Sequence, residues 1–231
     1  MAVILNIETS TNVCSVAVTA EGMILTHFEN FQGQNHAALL SGYIKACLDF
    51  IHEKEMKLDA VAVSIGPGSY TGLRIGLSEA KGLAYALNIP LIGVDTLQIM
   101  AVSVMFNHEI DPDSLFVPMI DARRMEVYTA VYDMALETRL APTPLILDET
   151  SYLEWLDAGE KLIFFGNGSD KARELLESHP GSRFIADIHP LAVDMIALAE
   201  RAYAQKQFLD LAYSTPSYLK EFQATKPKNL I

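Results

Sequence analysis

A two-lobed α/β fold is predicted by three features of the sequence. A meander of strands gives way to strands alternating with helices, the second half echoes that order, and the apolar content is ample for packed cores. Half of the 231 residues are hydrophobic and 20% are charged, which argues against a disordered chain. No apolar run approaches the roughly 18 residues that cross a bilayer.

The elements follow in order. Val3 to Ile7 reads as a buried strand, Val13 to Val18 as a second, and a turn at Glu21-Gly22 leads to a third, Met23 to Phe28. Leu40, Tyr43, Ile44, Cys47, Leu48 and Ile51 then keep helical spacing, predicting an amphipathic helix from about Asn35 to Glu53. Ala60 to Ile65 is a β-rich run, Thr71 to Leu87 a second helix ended by Pro90, and Leu91 to Val94 a further strand. The order βββαβαβ implies a mixed sheet with a parallel portion.

The second half repeats the theme. Leu115–Ile120, Glu126–Tyr132 and Thr143–Leu147 read as strands, followed by a short helix near 151–156 and the strand Lys161–Phe165. A helix after Gly168, the strand Arg183–Ala186 and a long helix from Pro190 to Phe208 complete it, with proline placed in the first turn. The polar interruption at 103–113 sets the lobes at 1–104 and 105–231.

Charge narrows the function. The net charge is −12, shared as −4 over residues 1–104 and −8 over 105–231. Nucleic-acid affinity comes from cations neutralising phosphates, so the chain alone is a poor candidate for holding RNA. Local basic clusters remain at Arg123-Arg124 and at the tail lysines Lys220, Lys226 and Lys228. Cys14 and Cys47 have no framework spacing and read as buried thiols in a reducing compartment. The N-terminal residues lack a basic region and a cleavage site, so no secretory signal is expected. A cytoplasmic location is expected.

Four stretches stand out as candidate sites. Gly66-Pro67-Gly68-Ser69-Tyr70-Thr71-Gly72-Leu73-Arg74-Ile75-Gly76 joins a strand to a helix. It suits either an anion at the helix N-terminus or a tight turn followed by a thin helix. It lacks the endings of a P-loop or a dinucleotide fingerprint, which favours the turn. Asp121 to Tyr128 could hold a site pairing Asp121 with Arg123, or a plain hairpin turn. Gly166-Asn167-Gly168-Ser169 is a second strand-to-helix turn. The six histidines show no metal-ligand spacing, and no serine or cysteine sits in a nucleophile motif.

Taken together, Ile4–Ser10, Gly66–Gly76, Asp121–Tyr128, Gly166–Gly168 and Pro216-Ser217-Tyr218-Leu219-Lys220 resemble the TsaB family, also called YeaZ, along essentially the whole chain. The resemblance implies the two-lobed actin/Hsp70-like ATPase fold, of ribonuclease H-like type, with mixed sheets covered by helices. It also implies a non-catalytic partner of the catalytic homologue TsaD and of the small ATPase TsaE in making threonylcarbamoyladenosine in tRNA. Working ATPases of this fold carry a glycine in the turn after the first strand. Here that turn is Glu8-Thr9-Ser10-Thr11-Asn12, and the second phosphate loop reads Ala122-Arg123-Arg124. TsaD's paired metal-binding histidines are matched only by His108. No catalytic, cofactor or metal residue is therefore expected. Lys220 stands where the family pattern leads one to expect arginine.

The two first-lobe helices also show small residues away from their apolar stripes: Ala38, Gly42 and Ala46 on one, Gly72 and Gly76 on the other. Partner helices could pack there in a four-helix arrangement, which the resemblance also implies, and the chain could pair with itself when alone. The alternative is that these positions seat the two helices against each other. Two rival functions have the same fold class: a metallopeptidase, matching an old glycoprotein-endopeptidase label of the wider family, and a phosphotransferase.

Overall fold

The computed structural model describes residues 2–33 and 35–220; Lys226 and Lys228 lie outside the described residues. Five strands open the chain: β1 (Val3–Glu8), β2 (Cys14–Ala20), β3 (Met23–Asn30), then β4 (Ala60–Gly66) and β5 (Leu91–Asp95). Helix α1 (His36–Glu53) precedes β4, and α2 (Tyr70–Leu87) links β4 to β5. The sheet order is β3-β2-β1-β4-β5, antiparallel within β1–β3 and parallel across β1, β4 and β5.

Helix α3 (Thr96–Asn107) leads to a second sheet of β6 (Ser114–Asp121), β7 (Glu126–Tyr132), β8 (Thr138–Ile146), β9 (Lys161–Phe165) and β10 (Ser182–Ile185). Helices α4 (Leu153–Asp157) and α5 (Ser169–Leu176) make its crossovers. Its order, β8-β7-β6-β9-β10, repeats the first sheet's topology with the same strand directions. This duplication, read as an echo in the sequence, is the two-lobed architecture.

Each sheet is covered on both faces. Leu40, Ile44, Cys47 and Ile51 of α1, with Leu77, Ala80 and Ala84 of α2, pack on Leu5, Ile7, Val16 and Val63. On the outer face of the second sheet, Leu156, Ala172 and Leu176 cover Val117, Met119 and Phe164. The inner faces share α3. Ile99 and Val102 join the first sheet's cluster, while Leu97, Met100, Ala101 and Val104 join Phe116, Ile120 and Phe165 of the second.

Helix α3 is absent from the sequence-derived order. Amphipathic spacing marks a helix with one wet face, and α3 has none over most of its length: of the nine positions from Thr96 to Val104, all but Gln98 are buried. The long helix expected from Pro190 is a 3₁₀ turn, Ala192–Met195, followed by α6 (Ile196–Ala204), so Pro190 lies before rather than inside the first turn. Strand β8 starts five residues before its expected position. It accommodates Pro142 and Pro144 because it is an edge strand, where an amide without a hydrogen leaves no ladder bond unmade. Cys14 and Cys47 are buried free thiols. Among the described residues no helix is long and apolar enough to cross a membrane.

Candidate functional site

The glycine-rich turn after β4 is built to receive the turn after β1. The Thr9 hydroxyl donates to the Gly72 carbonyl at 2.8 Å, and the Ser69 amide donates to the Ser10 carbonyl at 2.6 Å. A Cβ on Gly68 would overlap the Ser10 carbonyl, one on Gly72 the Thr9 carbonyl, and one on Gly76 the Thr9 hydroxyl. The glycines let α2 settle directly on Thr9-Ser10. Ser69 caps α2, its Oγ accepting from Gly72 N at 3.2 Å. The turn reading of this stretch therefore describes its packing.

Glu8, at the end of β1, is fully buried, and its Oε1 accepts from the Ser10 amide. Burial pushes its carboxyl up to about 7, opposed in part by that amide. Asp95 caps α3, accepting from Gln98 N at 3.0 Å, and burial raises it to about 6.

Facing these elements, the β6–β7 turn forms the other wall of a cleft of about 1090 Å³. Its acids are occupied. Lys171 Nζ donates to Asp121 Oδ1 at 2.6 Å and to the Glu126 carbonyl at 2.8 Å, and Lys220 bonds the Glu126 carboxylate. Asp121 thus takes Lys171 and the Arg123 backbone amide, and the side-chain pairing of Asp121 with Arg123 is not formed. Arg123 and Arg124 both have left-handed backbone, φ 71° and 52°, a conformation that favours Gly and Asn. Asn167 Oδ1 accepts from the Asp121 amide at 2.9 Å, tying the Gly166–Ser169 turn to β6.

A strap bounds the cleft. Residues 209–220 return along the first sheet, with Leu209 N bonded to the Leu91 carbonyl at 2.8 Å and Ser217 N to the Ile65 carbonyl at 2.7 Å. Arg74 Nε donates to the Tyr218 hydroxyl at 2.8 Å, and its guanidinium lies 4.0 Å from the Tyr70 ring centre. The tail contact of Lys220, open from sequence, is this bridge to Glu126 across the cleft.

A second surface lies between α1 and α2, a groove of about 650 Å³ lined by Ala37, Ile44, Ile75, Glu79, Gly82 and Leu83, among others. The structure separates the five small residues named from sequence. Ala38 and Gly42 are exposed and Ala46 half-buried on α1, whereas Gly72 and Gly76 are buried under α2 against Thr9. The latter two therefore seat α2 on its own lobe, away from the open face. Gly82, which the sequence pattern did not single out, is the open glycine of α2; the nearby Ala80 and Ala84 are buried.

The model of the family described as "TsaD: tRNA N6-adenosine threonylcarbamoyltransferase" matches residues 28–229. The tRNA threonylcarbamoyladenosine biosynthesis protein TsaB of Bacillus subtilis is 28% identical over 228 residues, covering 96% of this chain and 95% of that one. TsaB of Escherichia coli is 29% identical over 234 residues, covering 96% of each. The solved structure of YeaZ from Pseudomonas aeruginosa matches with a TM-score of 0.76 at 29% identity, over 95% of this chain and 100% of that one. A second structure, of an uncharacterized protein with similarity to peptidase YEAZ from Pseudomonas aeruginosa, matches with a TM-score of 0.79 at 30% identity over the same shares. With the duplicated sheet topology and the motif-bearing turns in place, the chain belongs to the TsaB (YeaZ) family, within the wider set that the TsaD model describes.

Proposed function

We propose that the chain is a non-catalytic scaffolding subunit in the threonylcarbamoyladenosine modification of tRNA. It pairs through α1 and α2 with a TsaD-type catalytic homologue and works beside a TsaE-type ATPase in the cytoplasm. The same reading keeps the lobe division at 1–104 and 105–231 and allows self-pairing through the same face when the partner is absent. Involvement in this modification rests on the names of the full-length relatives.

The observation that carries the pairing is Gly42. It is exposed in the middle of α1, and a Cβ built there meets nothing within 4 Å. Glycine in a helix interior costs about 1 kcal/mol relative to alanine, and no described residue packs into the space that Gly42 leaves. An approaching helix from another protein does. The absence of catalysis is supported by Gly68, Gly72 and Gly76, whose open sides are filled by Ser10 and Thr9, and by Asp121, which is tied to Lys171. The net charge of −12 supports a weak direct contact with tRNA.

Co-purification with the TsaD-type protein of the same organism tests the pairing, with Gly42→Leu as the probe. Leucine raises helix propensity and its Cβ meets no described atom within 4 Å, so the melting temperature should hold or rise. Association should fall at least about tenfold, because a well-packed interface does not absorb added volume. A folded Gly42→Leu protein that associates as well as the parent sinks the proposal.

A further inference from the structure

We infer that Arg74, oriented by the strap, is the anchor for a carboxylate of the partner that docks against α1 and α2. The inference rests on the docking proposed above and adds to it the chemistry of one contact and a link to the strap. Arg74 belongs to two structures at once. It lines the groove between α1 and α2 beside Ile75, Gly82 and Leu83, and it holds the end of the strap. Its Nε donates to the Tyr218 hydroxyl at 2.8 Å, and its guanidinium lies 4.0 Å from the Tyr70 ring centre and 5.8 Å from that of Tyr218. One hydrogen bond and two rings thus fix an exposed side chain, against the rotamer freedom it would otherwise keep.

Its charge is unmatched. Among the described residues no carboxylate forms an ion pair with Arg74. Glu79, the acid in the groove lining, accepts instead from the Ser41 hydroxyl at 2.8 Å. With Nε taken by a neutral hydroxyl, the Nη groups stand at the border of the groove with no described counter-charge. A guanidinium fork whose plane is already set matches a carboxylate bidentately, and it has less freedom to lose on binding. The groove fits the rest of such a partner. Gly42 and Gly82 leave room for close approach, and Ile75 and Leu83 offer apolar contact. The occupant is an apolar helix face that bears an aspartate or glutamate at its strap-side edge.

The strap makes this contact a coupled one. Helix α2 holds it at a second point, where Lys81 Nζ donates to the Ser214 carbonyl at 2.7 Å. Two residues past Tyr218, Lys220 bonds Glu126 of the second sheet. Because Tyr218 orients Arg74, the clasped strap favours the partner contact. By reciprocity the bound partner favours the clasped strap to the same degree. Docking on one lobe thereby steadies a segment that is anchored on the other.

Titration of the full chain with the TsaD-type protein of the same organism tests this, with Gly42→Leu measured alongside. Arg74→Ala keeps helix propensity and should bind at least about tenfold more weakly, with an affinity that falls less steeply as salt is added. Arg74→Lys keeps the charge without the fork and should recover only part of that loss. Tyr218→Phe should bind roughly threefold more weakly in the parent and change nothing further in Arg74→Ala, a non-additivity that a merely structural role does not produce. Exchange of the Ser217 amide should slow in the parent complex by a comparable factor. Parent-like binding by Arg74→Ala, with binding lost in Gly42→Leu, would overturn the inference and leave the docking face standing. Parent-like binding by both variants would remove the docking face and the inference together. Additive effects of Tyr218→Phe, or unchanged Ser217 exchange in the complex, would sink the link to the strap. An Arg74→Ala defect confined to self-association of the isolated chain, read by sedimentation, would assign the contact to a second copy and overturn the inference.

Discussion

The Thr9 hydroxyl stands where a Cβ on Gly76 would stand, so the turn after the first strand and the second turn of α2 occupy one shared space. Thr9 also donates to the Gly72 carbonyl at 2.8 Å, so the contact is a bonded seat as well as a steric fit. The glycines that most resemble a ligand loop are spent on this approach.

A substitution pair checks the seat. Gly76→Ala should cost about 1–3 kcal/mol through overpacking, lowering the melting temperature by several degrees. Thr9→Ala removes the clashing hydroxyl and should restore much of that loss, giving a measurable coupling in a double-mutant cycle. Gly72→Ala meets the Thr9 backbone carbonyl instead, so Thr9→Ala should not rescue it. Purely additive effects for Thr9 and Gly76 would refute the shared space.

Glu8 predicts a pH dependence of stability. Burial raises its folded pKa to about 7 from the ordinary glutamate value of 4.5. The folded state therefore holds a proton that the unfolded state releases between those values, and stability falls as pH rises through that window. Asp95 and Asp194, each raised by burial to about 6, act with the same sign from 3.8 upward. Glu8→Gln keeps an acceptor for the Ser10 amide and removes the titration. Its advantage should be small at pH 4.5 and grow to as much as about 3 kcal/mol by pH 8. Urea midpoints that differ from the parent by the same amount at both pH values would exclude Glu8 as the source.

The clasp of the strap should be local in its effect. Lys220→Met leaves the Glu126 carboxylate, only 15% exposed, without its cation, at a cost of about 1–2 kcal/mol. Tyr218→Phe keeps the ring beside Tyr70, at 5.1 Å between centres, and loses only the acceptor for Arg74, costing about 0.5–1 kcal/mol. Both should speed amide exchange at the Ser217 amide far more than in α3. Equal acceleration throughout the chain would show that the strap does not open independently.

Much of this architecture was legible because its elements carry plain patterns. The stripe of α1 shows its covered face by period, and β1, β4, β6 and β9, buried along nearly their whole length, read as short apolar β-rich runs. The repetition of strand order in the second half likewise shows in the sequence. What required the tertiary structure is contact between elements distant in the chain. Helix α3 is apolar on nearly every side because it packs on both sheets, so no period betrays it. Gly72, Gly76 and Gly42 look alike in sequence as small residues on helices. The folded chain alone decides that the first two are filled by Thr9 while Gly42 faces open space. Arg74 was visible as a charge on α2, yet the acceptor that orients it was not. That acceptor, the Tyr218 hydroxyl, comes from 144 positions farther along the chain. Sequence determined which elements form and that they repeat; packing between distant elements decided which of their residues remain available to a partner.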